Sequence, residues 1–403
     1  MYWMRYRGEQ MEETTRPERR NPNPKPQIQS QEKEKEHAGS VTMIPFTFRR
    51  VLKYTFVALS IFALLGSLRF ANNQTRFQAF LQRQYITWKD FPISYADALK
   101  AKDWDTLLQT YDYKKNFPTV EYNHDDATAT RNIPPIIHFI WFRNLYETKA
   151  EITSIPSKGS EAPEHCRRYN PDYTINIWNA SAARDLLEQH YAWFLPTYDA
   201  YRYPIQRVDA VKYFLLWHYG GIYMDMDIAC RRSMDPLLPF PAWFPEASPL
   251  GVNNDLMATR SRHPVIRLML ENLHARNLNL IFPYLTIFWS TGPQFTGDLL
   301  KRWFLQFGGK YVPGESKVDA DPSEWFVLPQ EFYSEEFTFF GHSPGGTWHE
   351  DDVAVVLWFV AHPVVFWFLV FTVLTGLTMF IIRLRRSSNN QRSKDTGLGI
   401  RGI

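Results

Sequence analysis

Hydrophobic and polar positions divide this chain into five stretches. Residues 1–45 mix proline with polar and charged side chains, as in NPNPKPQIQSQEKEKEH, and present no apolar face to bury. A disordered tail is expected there. From Tyr54 to Leu68 no charge interrupts an apolar run, and extending it back to Val51 admits Lys53, whose stem can snorkel to a membrane surface. That makes residues 51–70 a candidate anchor, slightly short of the roughly 20 apolar residues a spanning helix needs. A cleaved signal peptide is the alternative, but its charged leader would be unusually long and no small-residue cleavage site follows. The second run, Val364–Ile382, is free of charge and as a helix would span about 28 Å. The apolar residues before it, Val353–His362, lie in the membrane interface or enter the bilayer, and Pro363 is expected to separate them from the span. Residues 353–382 thus form a C-terminal membrane segment, and 383–403 a polar tail.

Between the two runs, residues 71–350 alternate strand and helix signals. Ile133–Phe142 (IPPIIHFIWF) and Tyr173–Asn179 (YTINIWN) are β-branched and aromatic runs, hence strands. A helix should start near Ser181 with Asn179 or Ser181 as its cap. Val208, Val211, Leu215 and Trp217 or His218 recur at helical spacing, with Gly220 as the C-terminal stop. IYMDMDI follows directly as a strand. Such alternation predicts an open α/β sheet, which binds ligands at the carboxyl ends of its strands. No solenoid-type repeat is present.

Composition removes several functional classes. A length of 403 residues with 45% hydrophobic and 16% aromatic side chains supports one large core or two small ones. A net charge of +3 gives no reason to expect nucleic acid as a partner. Two cysteines, Cys166 and Cys230, exclude a disulfide-dense scaffold. They either pair with each other in an oxidising compartment or remain as buried thiols. Arg383, Arg385 and Arg386 follow the second run, and Arg49, Arg50 and Lys53 flank the first, so the positive-inside rule predicts both termini in the cytosol. Residues 71–350 would then be lumenal, which suits the sequons at Asn73 and Asn179.

The candidate chemistry centres on Tyr219–Cys230 (YGGIYMDMDIAC). On a strand, Asp225 and Asp227 would share one face and Met224 and Met226 the other. Two carboxylates together in an apolar setting are costly unless a cation lies between them. A divalent ion there can neutralise a bound pyrophosphate leaving group. Asp103-Trp-Asp105 and Asp319-Ala-Asp321 carry the same triplet without that setting and are taken as surface acids.

The stretch RVDAVKYFLLWHYGGIYMDMD resembles the signature of the glycosyltransferases with a DXD sugar-binding region, which include the fungal Golgi mannosyltransferases. The resemblance implies a GT-A fold (a Rossmann-like α/β domain, here flanked by N- and C-terminal transmembrane helices) and retention of anomeric configuration. It implies that Asp209 contacts the sugar, Tyr223 the nucleotide-sugar, and Asp225 with Asp227 the metal and ribose. Lys212 stands where the family usually has arginine and keeps the charge without the bidentate fork. Trp141 matches the family's base-stacking tryptophan, with a plain core aromatic as the other reading. Gly341–Asp352 (GHSPGGTWHEDD) resembles the closing segment, which makes His342 a candidate third metal ligand and His349 its rival. Segments 291–296 and 253–264 also match, with Asn254 and Asp255 as candidates for the substrate pocket. The implied cofactor is a divalent metal, manganese by preference.

A closing segment followed directly by a membrane span looks like the mannosylinositol phosphorylceramide synthases. That branch implies transfer of mannose from GDP-mannose to inositol phosphorylceramide in the Golgi membrane, alongside a multi-span regulatory subunit. The alternatives are a Golgi α-mannosyltransferase acting on protein N-glycans, and an inactive membrane-bound assembly subunit. Intact Asp209, Asp225 and Asp227 oppose the second.

Overall fold

The computed structural model describes residues 46–100, 115, 133–142, 161–247, 251–333, 339–342 and 352–398. The tail expected over residues 1–45, the acids Asp103 and Asp105, and His349 lie outside these residues. Helices are α1 (Phe46–Gln84), α2 (Ile93–Lys100), α3 (Ala162–Tyr169), α4 (Ala180–His190), α5 (Leu195–Ala200), α6 (Pro204–His218), α7 (Pro264–Leu273), α8 (Pro283–Ser290), α9 (Pro293–Phe307), α10 (Asp352–Ala361) and α11 (Pro363–Leu398). Strands are β1 (Ile136–Ile140), β2 (Thr174–Trp178), β3 (Gly221–Met224), β4 (Ile228–Cys230), β5 (Ala242–Pro245), β6 (Leu256–Thr259), β7 (Phe326–Leu328) and β8 (Phe340–His342).

Two units divide the chain, Met1–Leu65 and Gly66–Ile403. In the first, the described residues are helical, and the side chains of Tyr54, Val57, Ile61, Phe62, Leu64 and Leu65 are exposed. The second holds a six-stranded sheet in the order β2-β1-β3-β6-β5-β7 and a two-stranded sheet of β4 with β8. β1 pairs in parallel with β2 and β3, while β6 runs antiparallel to both β3 and β5. This is a mixed α/β sheet. The expected strands Ile133–Phe142 and Tyr173–Asn179 are present as β1 and β2, trimmed at their ends. Asn179 is the cap of α4, its Oδ1 accepting from the Ala182 amide at 2.8 Å.

Both faces of the sheet are covered, as strand alternation shows. Ile137, Phe139, Ile222, Met224, Trp243, Leu256, Ala258 and Phe326 enter one apolar cluster; Ile140, Tyr223, Phe244, Met257 and Val327 enter the other. On the second face α6 is buried through nearly its whole girth, from Val208 to Leu216. A helix so enclosed leaves no solvent for its charges, so Asp209 and Lys212 must find protein partners. α6 ends at Gly220 and Gly221, both at positive φ (70° and 97°). A Cβ on Gly221 would press on the Ile136 carbonyl, so the tight entry into β3 requires glycine there.

Past the first unit, α1 does not stay exposed. Phe77, Phe80 and Leu81 turn into the core at i, i+3 and i+4, and Phe80 stacks on Phe304 with centroids 4.4 Å apart. At its end Gln84 Nε2 donates to Glu324 and to the Trp325 carbonyl, both at 3.0 Å. Among the described residues one helix segment, Val365–Leu384, is long and apolar enough to cross a membrane. Pro363 does separate it from the apolar α10, and α11 continues as helix through the expected tail to Leu398.

Cys166 and Cys230 form a disulfide that joins α3 to β4 across a sequence separation of 64 residues. A loop of that size constrains the unfolded chain by about 4 kcal/mol in the chain-entropy account. Of the two readings open from sequence, the paired one holds.

His138 of β1 is wholly buried between these layers. Its Nδ1 accepts from the Trp178 indole at 3.1 Å and its Nε2 donates to the Gly220 carbonyl at 2.9 Å, a neutral tautomer assigned from its partners. Burial pushes its pKa down to about 4, only partly offset by the Gly220 bond. An unfolded chain takes up this proton below about pH 6.5, whereas the folded one resists until about pH 4. Stability is therefore whole above pH 6.5 and falls as pH drops toward 4, by about 3 kcal/mol from this residue. His263, pushed down to about 3 by burial, acts in the same sense. Denaturant midpoints at pH 7.5 and pH 5 should show the loss, and His138→Gln should reduce it. An equally steep fall in that variant would acquit His138.

Candidate active site

The carboxyl edge of the sheet gathers the candidate residues. Trp141 follows β1, and its amide donates to the Trp178 carbonyl at 2.8 Å. Asp225 follows β3. Because β6 is antiparallel to β3, its start lies at the same edge, and this brings Asn254 and Asp255 beside Asp225. The Asp225 amide donates to the Asp255 carbonyl at 2.8 Å.

The sequence places the IYMDMDI run on one strand, and here the structure differs. β3 ends at Met224, and Asp225 to Asp227 form a turn closed by the Ile228 amide on the Asp225 carbonyl at 3.0 Å. The chain has to leave the six-stranded sheet because Ile228 pairs with β8 in the other one. Asp225 keeps the side of Tyr223, toward α6. Asp227 lies in the turn instead of on a shared strand face, and Met226 is half-buried beside it.

The centre of the site is a buried ion cluster. Lys212 Nζ sits 2.8 Å from Asp209 Oδ1 and 3.0 Å from Asp225 Oδ1, with Lys212 and Asp209 almost fully buried and Asp225 about a third exposed. The ammonium also lies 4.9 Å from the Tyr223 ring centroid and reaches the Asn254 carbonyl at 3.4 Å. Burial opposes the charge on Lys212, but Asp209 and Asp225 outweigh it and hold the pKa well above the ordinary lysine value. For Asp209, burial wins and raises the pKa despite Lys212.

Asp209 is held from its other side as well. Thr291 Oγ1 donates to its Oδ2 at 3.2 Å, and Asn254 Nδ2 approaches its Oδ1 at 3.4 Å. Tyr213 closes the frame by donating to the Thr291 carbonyl at 2.7 Å. The buried Tyr223 hydroxyl donates to Asp225 Oδ1, so this phenol orients the carboxylate. The sequence reading missed Tyr213, Thr291 and Tyr333. Thr291 fell within a matched segment, whereas Tyr333 carries no local signal. Its hydroxyl donates to Asp255 Oδ2 at 2.8 Å, and its pKa is raised by burial and then by Asp255, Asp225 and Asp227. The phenol is thus bonded to Asp255 and also feels the charges of Asp225 and Asp227.

These residues suit a divalent cation. Asp225 Oδ1 is taken by Lys212 and Tyr223, while its Oδ2 has no protein partner among the described residues. Oxygen donors of this kind match a hard ion. Among the described residues no three His, Cys, Asp or Glu side chains converge closely enough to complete a site. His342 lies in β8 opposite Ile228, one residue beyond Asp227. Asp319 is exposed and Asp321 is engaged by Lys310 at 2.8 Å, so that triplet serves the surface as expected.

Residues 156–243 match the family described as the glycosyltransferase sugar-binding region containing a DXD motif. The chain belongs to this glycosyltransferase family. It is 35% identical over 279 residues to inositol phosphoceramide mannosyltransferase 3 of Schizosaccharomyces pombe, covering 68% of this chain and 72% of that one. Identity to a mannosyl phosphorylinositol ceramide synthase of Saccharomyces cerevisiae is 34% over 239 residues, covering 59% and 57% of the two chains. A superposition on the PaToxG glycosyltransferase covers 56% of this chain and 83% of that one, with 20% identity and a TM-score of 0.34, too loose to add weight.

Proposed function

We propose that this chain transfers mannose from GDP-mannose to inositol phosphorylceramide, with retention, on a GT-A domain facing the Golgi lumen. The observation that carries the reading is the Asp209–Lys212–Asp225 cluster, intact in a chain 35% identical to a protein named as an inositol phosphoceramide mannosyltransferase. In this reading residues 51–70 anchor the chain, 71–350 are lumenal, 353–382 form the second membrane segment, and both termini are cytosolic. The exposed apolar side chains of Ile61, Phe62 and Leu65 support the first anchor, and the Val365–Leu384 helix supports the second. The Cys166–Cys230 disulfide suits an oxidising lumen.

A divalent ion, manganese by preference, would be held by Asp225 and Asp227. The family resemblance makes His342, or its rival His349, the candidate for a further ligand drawn in when the ion binds. When bound it supplies charge neutralisation for the departing diphosphate. The protein's own part is positioning. Lys212 fixes Asp225 against Asp209, and Thr291 and Asn254 hold Asp209 where the sugar would lie, with Trp141 available to the base. Among the described residues no second carboxylate stands out as a covalent nucleophile of the glycosidase kind. By the family resemblance, the acceptor hydroxyl would attack from the face the diphosphate leaves. The C–O bond to the diphosphate would break as the new one forms, the departing phosphate taking the hydroxyl proton.

Incubating full-length protein in detergent with labelled GDP-mannose, with and without inositol phosphorylceramide, tests this. Label should appear in a lipid product only when the lipid is present. Label on protein glycans instead, or preference for another nucleotide-sugar, would overturn it.

A further inference from the structure

Away from the ion cluster, an apolar surface stands out beside the membrane segment. From Asn277 to Gly297 the chain carries no charged residue. Within that stretch Ile281 is 93% exposed, and Leu280 and Trp289 are each more than a third exposed. α8, in the middle of it, buries Thr286, Ile287 and Ser290 on one side and leaves Tyr284, Leu285 and Phe288 half-buried on the other. Apolar side chains left open together on α8 and on the segment leading into it mark an interaction site rather than scattered surface residues.

What covers it is indicated by its neighbours. α8 lies against α10, the apolar helix Asp352–Ala361, which leads through His362 and Pro363 into the Val365–Leu384 span. Trp358 and Trp367 flank that junction and are both exposed, as amphipathic rings are at a bilayer interface. The C-terminal end of α8 runs into the ion cluster: Gln206 Nε2 donates to Ser290 Oγ at 2.7 Å, and Thr291 bonds Asp209. α8 is eight residues long, about 12 Å of helix; the apolar side chains run from Leu280 before it to Trp289 near its end, and Thr291 just past that end bonds Asp209.

We propose that Leu280–Trp289 is a membrane-seating wedge, whose apolar side chains enter the same bilayer interface as α10 and bring the lipid surface to the Asp209 end of α8. Bilayer contact itself stands independently of the reaction. The consequence that the wedge presents the acceptor rests on the reading of that acceptor as a lipid.

The test uses full-length protein reconstituted in phosphatidylcholine vesicles. Ile281→Cys, labelled with an environment-sensitive dye, should be quenched severalfold more by brominated phosphatidylcholine than Glu188→Cys on the exposed face of α4. Equal, weak quenching at both positions overturns the proposal, whether the surface is found bare, in a dimer or under a protein partner. In the same vesicles carrying inositol phosphorylceramide, Ile281→Asp should lower mannose transfer about tenfold, the scale of one large apolar side chain withdrawn from burial. Its donor hydrolysis should be unchanged. Leu280→Asp is the second variant should the first fail to fold. Quenching without any loss of transfer removes the acceptor-presenting role. Quenching with no transfer by the unsubstituted protein refutes the assigned reaction and leaves the wedge standing.

Discussion

Asp225→Asn and Asp227→Asn are each expected to lower mannose transfer by about a thousandfold, the upper range for loss of one charge-stabilising group at a leaving oxygen. The reason is positional. Asp225 has one oxygen committed to Lys212 and Tyr223 and the other without a protein partner among the described residues. In the proposed reading the substitution therefore removes charge from the oxygen left to meet the metal and the diphosphate. Folding should persist, because Lys212 keeps Asp209 as its partner and Asp225 is the most exposed member of the cluster. Chelator should abolish transfer by the unsubstituted protein, and manganese should restore it. Labelled product on lipid, read together with circular dichroism, checks both halves. Full activity in excess chelator, or near-normal turnover by either variant, would remove the metal from the proposal.

The sequence made the local features legible, and those held where one element determined them. β1 and β2 followed from their β-branched runs, the α4 cap from Asn179, and the end of α6 from Gly220. The turn at Asp225–Asp227 was hidden because alternation continues smoothly through MDMDI. Only the pairing of Ile228 with the distant β8 breaks the strand. The disulfide stood as one of two open readings, since Cys166 and Cys230 become neighbours only after α3 packs on β4. The second half of α1 was missed for a different reason. Its polar composition disguised Phe77, Phe80 and Leu81, three apolar residues whose value depends on Phe304 and Trp325 far along the chain. At the site, Asp209 and Lys212 were visible through the family signature, whereas Thr291 and Tyr333 act by contacts that no spacing encodes.

Lys212→Met should be among the most destabilising single substitutions in the catalytic unit. It leaves Asp209 and Asp225 facing each other with no cation between them, in a setting where removing one partner of a buried ion cluster costs about 3–5 kcal/mol. For a domain of this size that is a fall of about 10 °C in Tm. Transfer should fall with it, because Asp225 loses the ammonium that fixes its orientation. The cost arises from uncompensated charge, so it should be reversible by chemistry. Lys212→Met combined with Asp209→Asn removes one buried carboxylate and should recover part of the lost stability, although activity stays low because Asp209 is itself in the site. Lys212→Arg keeps the charge between the two carboxylates and should preserve the fold. Thermal unfolding of these four proteins and of Asp209→Asn separates the accounts: a simple packing role would make the double variant additive, whereas a charge-pairing role makes it more stable than Lys212→Met alone. If Lys212→Met unfolds within a degree or two of the unsubstituted protein, the ammonium does not hold these carboxylates together, and the positioning role given to it is wrong.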